Sequence, residues 1–148
     1  MTKIKQIPEV DQDTRKKLKE ITCFALDMDG TIYLGEKWIE GARDFLRAVE
    51  ECGKQYIFLT NNSSKNPQAY VRKLSKMGLT VGEDRIVTSG QASIAYLKKH
   101  YPGKQVYLLG NELLTEEFLA EGICLDERAP EVVMVGFDTS LTYEKLCR

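Results

Sequence analysis

Short apolar runs alternate along the chain with segments in which apolar residues recur at helical spacing. Each run has four residues or fewer and ends in polar residues or glycine, which is typical of a strand buried on both faces of a parallel sheet. Strands are predicted at residues 23–26, 56–59, 86–87, 106–109 and 132–135. We expect the first of these strands to be buried on both faces.

The segments between the strands carry the periodicity and end signals of helices. Residues 42–52 and 69–77 place apolar side chains three or four positions apart, and a glycine follows each segment, as at many helix ends. Asn66-Pro67 is typical of a helix start, because a capping side chain precedes a proline. Helices are predicted at residues 11–20, 42–52, 66–77, 91–99 and 112–121. Alternating strands and helices predict an α/β fold with a parallel sheet.

Length and charge bound the class of protein. The chain has 148 residues, with 21 Lys plus Arg against 22 Asp plus Glu and a formal net charge of -1. Near-neutral charge removes the basic field that non-specific nucleic-acid binding needs, so we expect no nucleic-acid partner. No run approaches the ~20 apolar residues of a membrane span, and the segment from Met1 to Gln6 does not begin a signal peptide. We therefore expect a cytoplasmic protein with no membrane partner.

The cysteines and the single histidine argue against a structural zinc site. No C-x-x-C pair exists among Cys23, Cys52, Cys124 and Cys147, and only His100 could add an imidazole ligand. We expect four reduced thiols, with Cys23 and Cys124 acting as small apolar side chains within their runs.

The segment Asp27-Met28-Asp29-Gly30-Thr31 follows the first predicted strand directly. Ligands of parallel α/β sheets bind beyond the carboxyl ends of the strands, so both aspartates are expected at a binding site. One carboxylate can attack an electrophile while the other transfers a proton. A hard cation such as Mg2+ would offset the repulsion between the two carboxylates.

Two other loop types do not fit this segment. A calcium loop counted from Asp27 requires a glycine and a glutamate where Ile32 and Trp38 stand. The phosphate loop of nucleotide-binding proteins requires a lysine after its second glycine, whereas Glu36 follows Gly35. A purely structural Asp-Gly turn remains the alternative at this position.

The second strand ends in Thr60-Asn61-Asn62-Ser63. Hydroxyl, amide and backbone N–H groups can cradle a phosphate without a cation. Alone, such a cluster is more typical of a loop or a helix cap. Paired with the two aspartates at the same predicted sheet edge, it indicates phosphoryl transfer.

Residues 26–33 (LDMDGTIY) and 59–64 (LTNNSS) resemble the haloacid dehalogenase superfamily. More narrowly, they are similar to its branch of 4-nitrophenylphosphatase-like and nucleotide or sugar phosphatases with an α/β cap. Residues 88–90, 106–110, 133–138 and 141–146 also resemble that branch, so the likeness extends from about Ile21 to the last residue. The resemblance implies Mg2+-dependent hydrolysis of small-molecule phosphate monoesters through an aspartyl-phosphate.

The resemblance also implies roles for individual residues. Asp27 would be the nucleophile, and Asp29 would protonate the leaving group and then activate water. Thr60, Asn61 and Asn62 would hold the phosphoryl oxygens. The metal would be bound by the carboxylate of Asp27 and the backbone carbonyl of Asp29.

The implied architecture is a parallel Rossmann-like core sheet with an inserted α/β cap, both incomplete. Residues 1–88 would be the N-terminal part of the core and residues 89–148 a partial cap, with residues 33–38 as a flap beside the site. The expected partner is a small-molecule phosphate ester, whose identity cannot be predicted because the cap that selects it is incomplete.

Two elements of the family site have no counterpart in the sequence. A third-motif lysine and fourth-motif aspartates cannot be assigned, and Lys145 lies in a segment that resembles a cap helix. A helix signal at Thr142 stands six residues before the last residue, so we expect the chain to be the N-terminal portion of an enzyme. The sheet edge beside Phe24 and Ala25 would then be open, which favours self-association.

Two other functions stay open at this point. One is a catalytically silent phosphate-binding or oligomerising module. The other is a response-regulator-like receiver, which is also α/β with paired acids. The receiver is the weaker alternative, because it needs a lysine at a late strand end, where Gly136-Phe137-Asp138 stands.

Overall fold

The computed structural model describes residues 10–148, so the expectation about the segment from Met1 to Gln6 lies outside the described residues. The elements are α1 (Gln12–Glu20), β1 (Cys23–Asp27), β2 (Tyr33–Leu34), β3 (Lys37–Trp38), α2 (Ala42–Glu51), β4 (Gln55–Thr60), α3 (Pro67–Lys76), β5 (Ile86–Thr88), α4 (Ser89–His100), β6 (Val106–Leu109), α5 (Glu112–Ala120), β7 (Val132–Val135) and α6 (Tyr143–Cys147). None of the helices in this range is long and apolar enough to cross a membrane.

The strands form three separate sheets. β1, β4 and β5 make a parallel sheet in the order β1-β4-β5, with Asp27 opposite Leu59 and Thr60 opposite Thr88. β6 and β7 make a second parallel pair, and β2 and β3 form an antiparallel hairpin. The predicted α/β fold with a parallel sheet is therefore confirmed, whereas the hairpin was not predicted.

Side-chain caps explain where the helices begin. The Asn66 side chain accepts a hydrogen bond from the Ala69 N–H at 3.0 Å, and Pro67 occupies the first helical turn of α3, as predicted. Thr88 and Gln91 form a reciprocal capping box at the start of α4. This box moves the start of α4 to two residues before the predicted position.

Buried apolar side chains form two clusters. The first packs β4 against α2 and α3, with the ring of Phe58 fully buried at its centre. The second packs α4 and α5 against β6, with Phe118 fully buried. Burial of one such ring stabilises the fold by about 1.5–3 kcal/mol. The members of the second cluster are Ile94, Leu97, Val106, Leu114, Phe118 and Ile123.

The loop after β4 contacts the elements of the second cluster. The Asn111 side-chain amide donates to the Ser64 carbonyl at 2.8 Å. The Phe137 N–H donates to the Ser63 hydroxyl at 2.7 Å. These two bonds fix the far end of the loop that begins at Thr60.

The prediction that the first strand is buried on both faces is wrong. Cys23, Ala25 and Asp27 are exposed, and the alternate residues of β1 are half-buried. The reason is that β1 pairs only with β4 among the described residues, so one face and one edge lack a covering element. Cys124 is exposed as well, so the expectation of small apolar roles for Cys23 and Cys124 is also wrong.

Candidate active site

The turn after β1 is held by backbone hydrogen bonds, most of them to one carbonyl. The carbonyl of Met28, a fully buried residue, accepts hydrogen bonds from the Ile32 N–H at 2.9 Å and the Tyr33 N–H at 3.2 Å. Gly30 adopts φ +87°, a left-handed conformation that a residue with a Cβ adopts only at a cost. Asp27 and Asp29 stand on either side of the buried Met28, and both are exposed.

The two aspartates have different neighbours. Asp27 accepts a hydrogen bond at Oδ2 from the Thr31 hydroxyl at 3.2 Å. Asp29 accepts at Oδ2 from the Tyr33 hydroxyl at 3.5 Å, and its Oδ1 lies 3.7 Å from the Lys73 ammonium. Of the two carboxylates, Asp29 is therefore the one held by an aromatic hydroxyl and a cation.

Lys73 links α3 to the hairpin. Its Nζ lies 3.7 Å from the centre of the Tyr33 ring, and its side chain is 21% exposed. Burial lowers the pKa of Lys73, and the charge of Asp29 opposes that change. Burial raises the pKa of Tyr33 strongly, and the charge of Asp29 adds to the rise. Sequence reasoning placed Tyr33 in the flap beside the site but gave it no contact with Asp29, and it missed Lys73.

The loop after β4 is ordered by side chain to backbone bonds. The buried Thr60 hydroxyl accepts from the Asn62 N–H at 3.2 Å, and the Asn62 side chain accepts from the Ser64 N–H at 2.9 Å. The Asn61 carbonyl accepts from the Ser89 hydroxyl at 2.9 Å. Because Asp27 pairs with Leu59, Thr60 lies one residue beyond it at the same sheet edge. The sheet therefore brings the two predicted motifs together.

Tyr70 of α3 adds an unexpected polar atom near these residues. It is 1% exposed, and its hydroxyl has no hydrogen-bond partner among residues 10–148. Burial raises the pKa of Tyr70, the nearby Thr60 side chain lowers it, and the charges of Asp29 and Asp27 raise it further. The Thr60 side chain therefore lies close enough to influence the Tyr70 hydroxyl, although the two form no hydrogen bond in the structure.

The chemistry of the donors fits part of a magnesium shell. Asp27 and Asp29 offer oxygen ligands, which a hard cation prefers. No group of three or more His, Cys, Asp or Glu side chains that could hold a metal occurs in the described part of the chain. Water or groups outside these residues would have to complete the coordination.

Lys145 has partners in the C-terminal segment. Its ammonium lies 2.7 Å from Asp138 Oδ2 and donates to the Gly110 carbonyl and the Ser140 hydroxyl, both at 3.1 Å. Burial raises the pKa of Asp138, but hydrogen bonds from Lys145 and Ser140 outweigh this effect and hold the pKa below its usual value. These contacts occupy Lys145 at the carboxyl ends of β6 and β7.

Comparisons with known proteins agree on one group of hydrolases. The family model described as haloacid dehalogenase-like hydrolase matches residues 24–124. The acid sugar phosphatase of Staphylococcus saprophyticus is 35% identical over 130 residues, which are 87% of this chain and 50% of that protein. The structure is similar to the 4-nitrophenylphosphatase of Thermotoga maritima, with a TM-score of 0.82 and 43% identity over 88% of this chain and 50% of that one. The p-nitrophenyl phosphatase of Archaeoglobus fulgidus gives a TM-score of 0.76 at 27% identity, over 86% of this chain and 49% of that one.

The coverage of these relatives is as informative as their identity. The chain spans about half the length of each of the three proteins. Both motifs described above lie within the residues that the family model matches, because the match begins at residue 24 and extends past the loop after β4.

Proposed function

Because the chain belongs to the haloacid dehalogenase-like hydrolase family, we propose that it provides the nucleophile half of a phosphatase site. The observation that carries this proposal is the placement of Asp27 and Thr60 at one edge of the parallel sheet, next to Asp29. The proposed reaction is Mg2+-dependent hydrolysis of small-molecule phosphate monoesters. The names of the relatives, which are sugar and nitrophenyl phosphatases, support this substrate class.

The proposed chemistry has two steps on the chain's own side chains. A carboxylate oxygen of Asp27 attacks phosphorus, the bond from phosphorus to the ester oxygen breaks, and Asp29 donates a proton to the leaving oxygen. Water then attacks the phosphorus of the aspartyl-phosphate while Asp29 accepts its proton, and inorganic phosphate leaves Asp27. The exposure of Asp27 supports its role, because an attacking oxygen must be reachable by substrate.

Binding of the phosphoryl group is assigned to the loop after β4. We assign the phosphoryl oxygens to the Thr60 hydroxyl and the polar groups of Asn61 and Asn62. The bonds that already order this loop would spare the entropy of arranging it when substrate binds. When bound, Mg2+ would neutralise charge on the phosphoryl oxygens, held by the Asp27 carboxylate and the Asp29 carbonyl.

We also propose a division of the chain near residue 88. Residues 1–88 would belong to the core and residues 89–148 to a cap. The two apolar clusters support this division, since the first ends at Ile86 and the second begins at Ile94. A cytoplasmic location is proposed with it, supported by four free cysteines among the described residues.

The experiment that tests the site is trapping of the phosphoryl group, which needs no turnover. The chain is mixed with 4-nitrophenyl phosphate and Mg2+, quenched in acid, and analysed by intact-protein mass spectrometry. We expect one added phosphoryl group on the wild type and none on Asp27→Asn. Phosphorylation of Asp27→Asn at the wild-type level would overturn the assignment of the nucleophile.

A second variant separates the two proposed steps. 4-Nitrophenolate leaves without help from an acid, so Asp29→Asn should still become phosphorylated. It should lose the phosphoryl group about 10²–10⁴-fold more slowly than the wild type, because general base catalysis contributes that much. Equal rates of dephosphorylation in both proteins would overturn the role of Asp29 as the general base.

A catalytically silent oligomerising module is the second candidate function. Exposed apolar side chains along β7, Val133 at 63% and Val135 at 67%, favour it, as does the edge of β1 that pairs with no strand of residues 10–148. Sedimentation velocity distinguishes the candidates: a stable oligomer that Ala25→Lys dissociates, together with no trapped phosphoryl group, would support the silent module.

A further inference from the structure

A cleft of about 590 Å3 lies between the β2–β3 hairpin and α3. The tip of the hairpin forms one wall through Gly35 and Glu36. The other wall is basic and comprises Lys65, Arg72, Lys73 and Lys76. Of the segments to which the family resemblance gives a place at the site, only the flap of residues 33–38 contributes to this cleft.

The cleft has an unbalanced positive charge. Four cationic side chains line it against one carboxylate, that of Glu36. Another cleft, of about 540 Å3 beside α2, is lined by two arginines and three acids, so acidic side chains are in slight excess there. Within residues 10–148, no ion pair involves Lys65, Arg72 or Lys76. The imbalance is local, since the whole chain carries a formal net charge of -1.

Lys73 connects this cleft to the candidate active site. It lines the cleft and also lies 3.7 Å from Asp29 Oδ1. A molecule held by its phosphoryl group at Asp27 and Thr60 would therefore have the basic cleft on the Asp29 side of the site. A lysine at the end of a helix is usually a solvated side chain, but only 21% of the Lys73 side chain is exposed.

We propose that the cleft binds a second anionic group of the substrate. The substrates would then be phosphate esters that carry a further carboxylate or phosphate, in preference to esters with a neutral organic part. This substrate class rests on the proposed function, whereas binding of an anion in the cleft does not. Arg72 suits the role, because a guanidinium can form paired hydrogen bonds with the oxygens of a carboxylate or phosphate.

The single tryptophan offers a direct signal for the cleft. Trp38, the only tryptophan in the sequence, donates from Nε1 to the carbonyl of Met77 at 2.9 Å, and Met77 lines the cleft. The full chain is titrated, at constant ionic strength, with three probes that cannot be hydrolysed. They are methylphosphonate, phosphonoacetate and trimethylene bisphosphonate, and tryptophan fluorescence is followed.

Phosphonoacetate and trimethylene bisphosphonate each carry a second anionic group. We expect one or both of them to bind roughly ten- to hundredfold more tightly than methylphosphonate, as one or two charge-assisted hydrogen bonds would produce. The phosphonoacetate and bisphosphonate arms separate a carboxylate from a phosphate as the second group. Arg72→Gln/Lys76→Gln should abolish the advantage. Lys16→Gln/Lys99→Gln, which makes the same change in net charge away from the cleft, should retain it.

The outcomes separate the cleft from the proposed phosphatase site. Equal binding of all three probes, or an advantage that the cleft variant retains, would overturn the cleft proposal. Thr60→Ala should weaken methylphosphonate binding whatever the cleft does. A further outcome is that Thr60→Ala has no effect on binding while the cleft variant still binds the probes with two anionic groups more weakly than the wild type. In that case the cleft proposal stands and the phosphate site at Thr60 fails.

Discussion

Replacing Tyr70 by phenylalanine should stabilise the protein. The Tyr70 hydroxyl is buried, has no partner among the described residues, and lies near the charges of Asp27 and Asp29. A buried donor without a partner costs about 1–3 kcal/mol. Since phenylalanine keeps the ring in place, the variant should recover much of this cost, about 1 kcal/mol, which raises the Tm of a chain of this size by about 3 °C.

Tyr33 provides the matched control for this change. It is also fully buried, but its hydroxyl donates to Asp29 Oδ2. Tyr33→Phe deletes the same atom and removes that hydrogen bond, so it should destabilise the fold by about 0.5–1 kcal/mol.

Urea unfolding, followed by circular dichroism and by the fluorescence of Trp38, measures both variants. The opposite signs expected for Tyr70→Phe and Tyr33→Phe are the test. If Tyr70→Phe lowers the free energy of unfolding as much as Tyr33→Phe does, the Tyr70 hydroxyl has a partner and the reasoning is refuted. A change in the slope against urea would instead report an altered unfolded state.

Three further changes test the segment after residue 88. Asp138→Asn removes the ion pair with Lys145 and should lower the free energy of unfolding. Because the pKa of Asp138 is lowered in the folded protein, this loss should be full above about pH 4 and should fade as the pH falls through the pKa of folded Asp138. Urea unfolding at a series of pH values measures it. Asn111→Asp keeps the acceptor that caps α5 but loses the donor to Ser64, so thermal unfolding should show a loss of about 1 kcal/mol. Leu114→Ala, at a 2% exposed position, should cost about 2–5 kcal/mol in urea unfolding.

Local signals in the sequence predict most helices and strands correctly. The cap at Asn66 and the apolar runs of β4, β6 and β7 depend on residues that are neighbours along the chain, so their spacing is enough. The burial of β1 could not be predicted in this way. A strand's own residues do not specify whether another strand lies on its second side, and β1 pairs only with β4 in the described residues.

The relative positions of two candidate site residues could also be predicted from the sequence. The positions of Asp27 and Thr60 follow from strands that end at one edge, which the alternation of elements predicts. Lys73 could not be found, because its contact with Asp29 depends on how the hairpin folds back onto α3. The hairpin itself has strands of only two residues, too short for an alternating pattern to show.

The position of Lys73 makes the two proposals physically dependent on each other. Its ammonium can face Asp29 Oδ1, as it does here, or turn toward an anion in the basic cleft, but a single charge that is mostly buried serves both poorly. An anion in the cleft would therefore draw Lys73 from Asp29 and leave that carboxylate to the Tyr33 hydroxyl alone. A substrate with a second anionic group would then remove the cation beside Asp29, the proposed proton-transferring residue, as it binds. A substrate with a neutral organic part would leave that cation in place. Lys73→Met should remove this difference, so that the contribution of Asp29 to proton transfer is the same with both kinds of substrate.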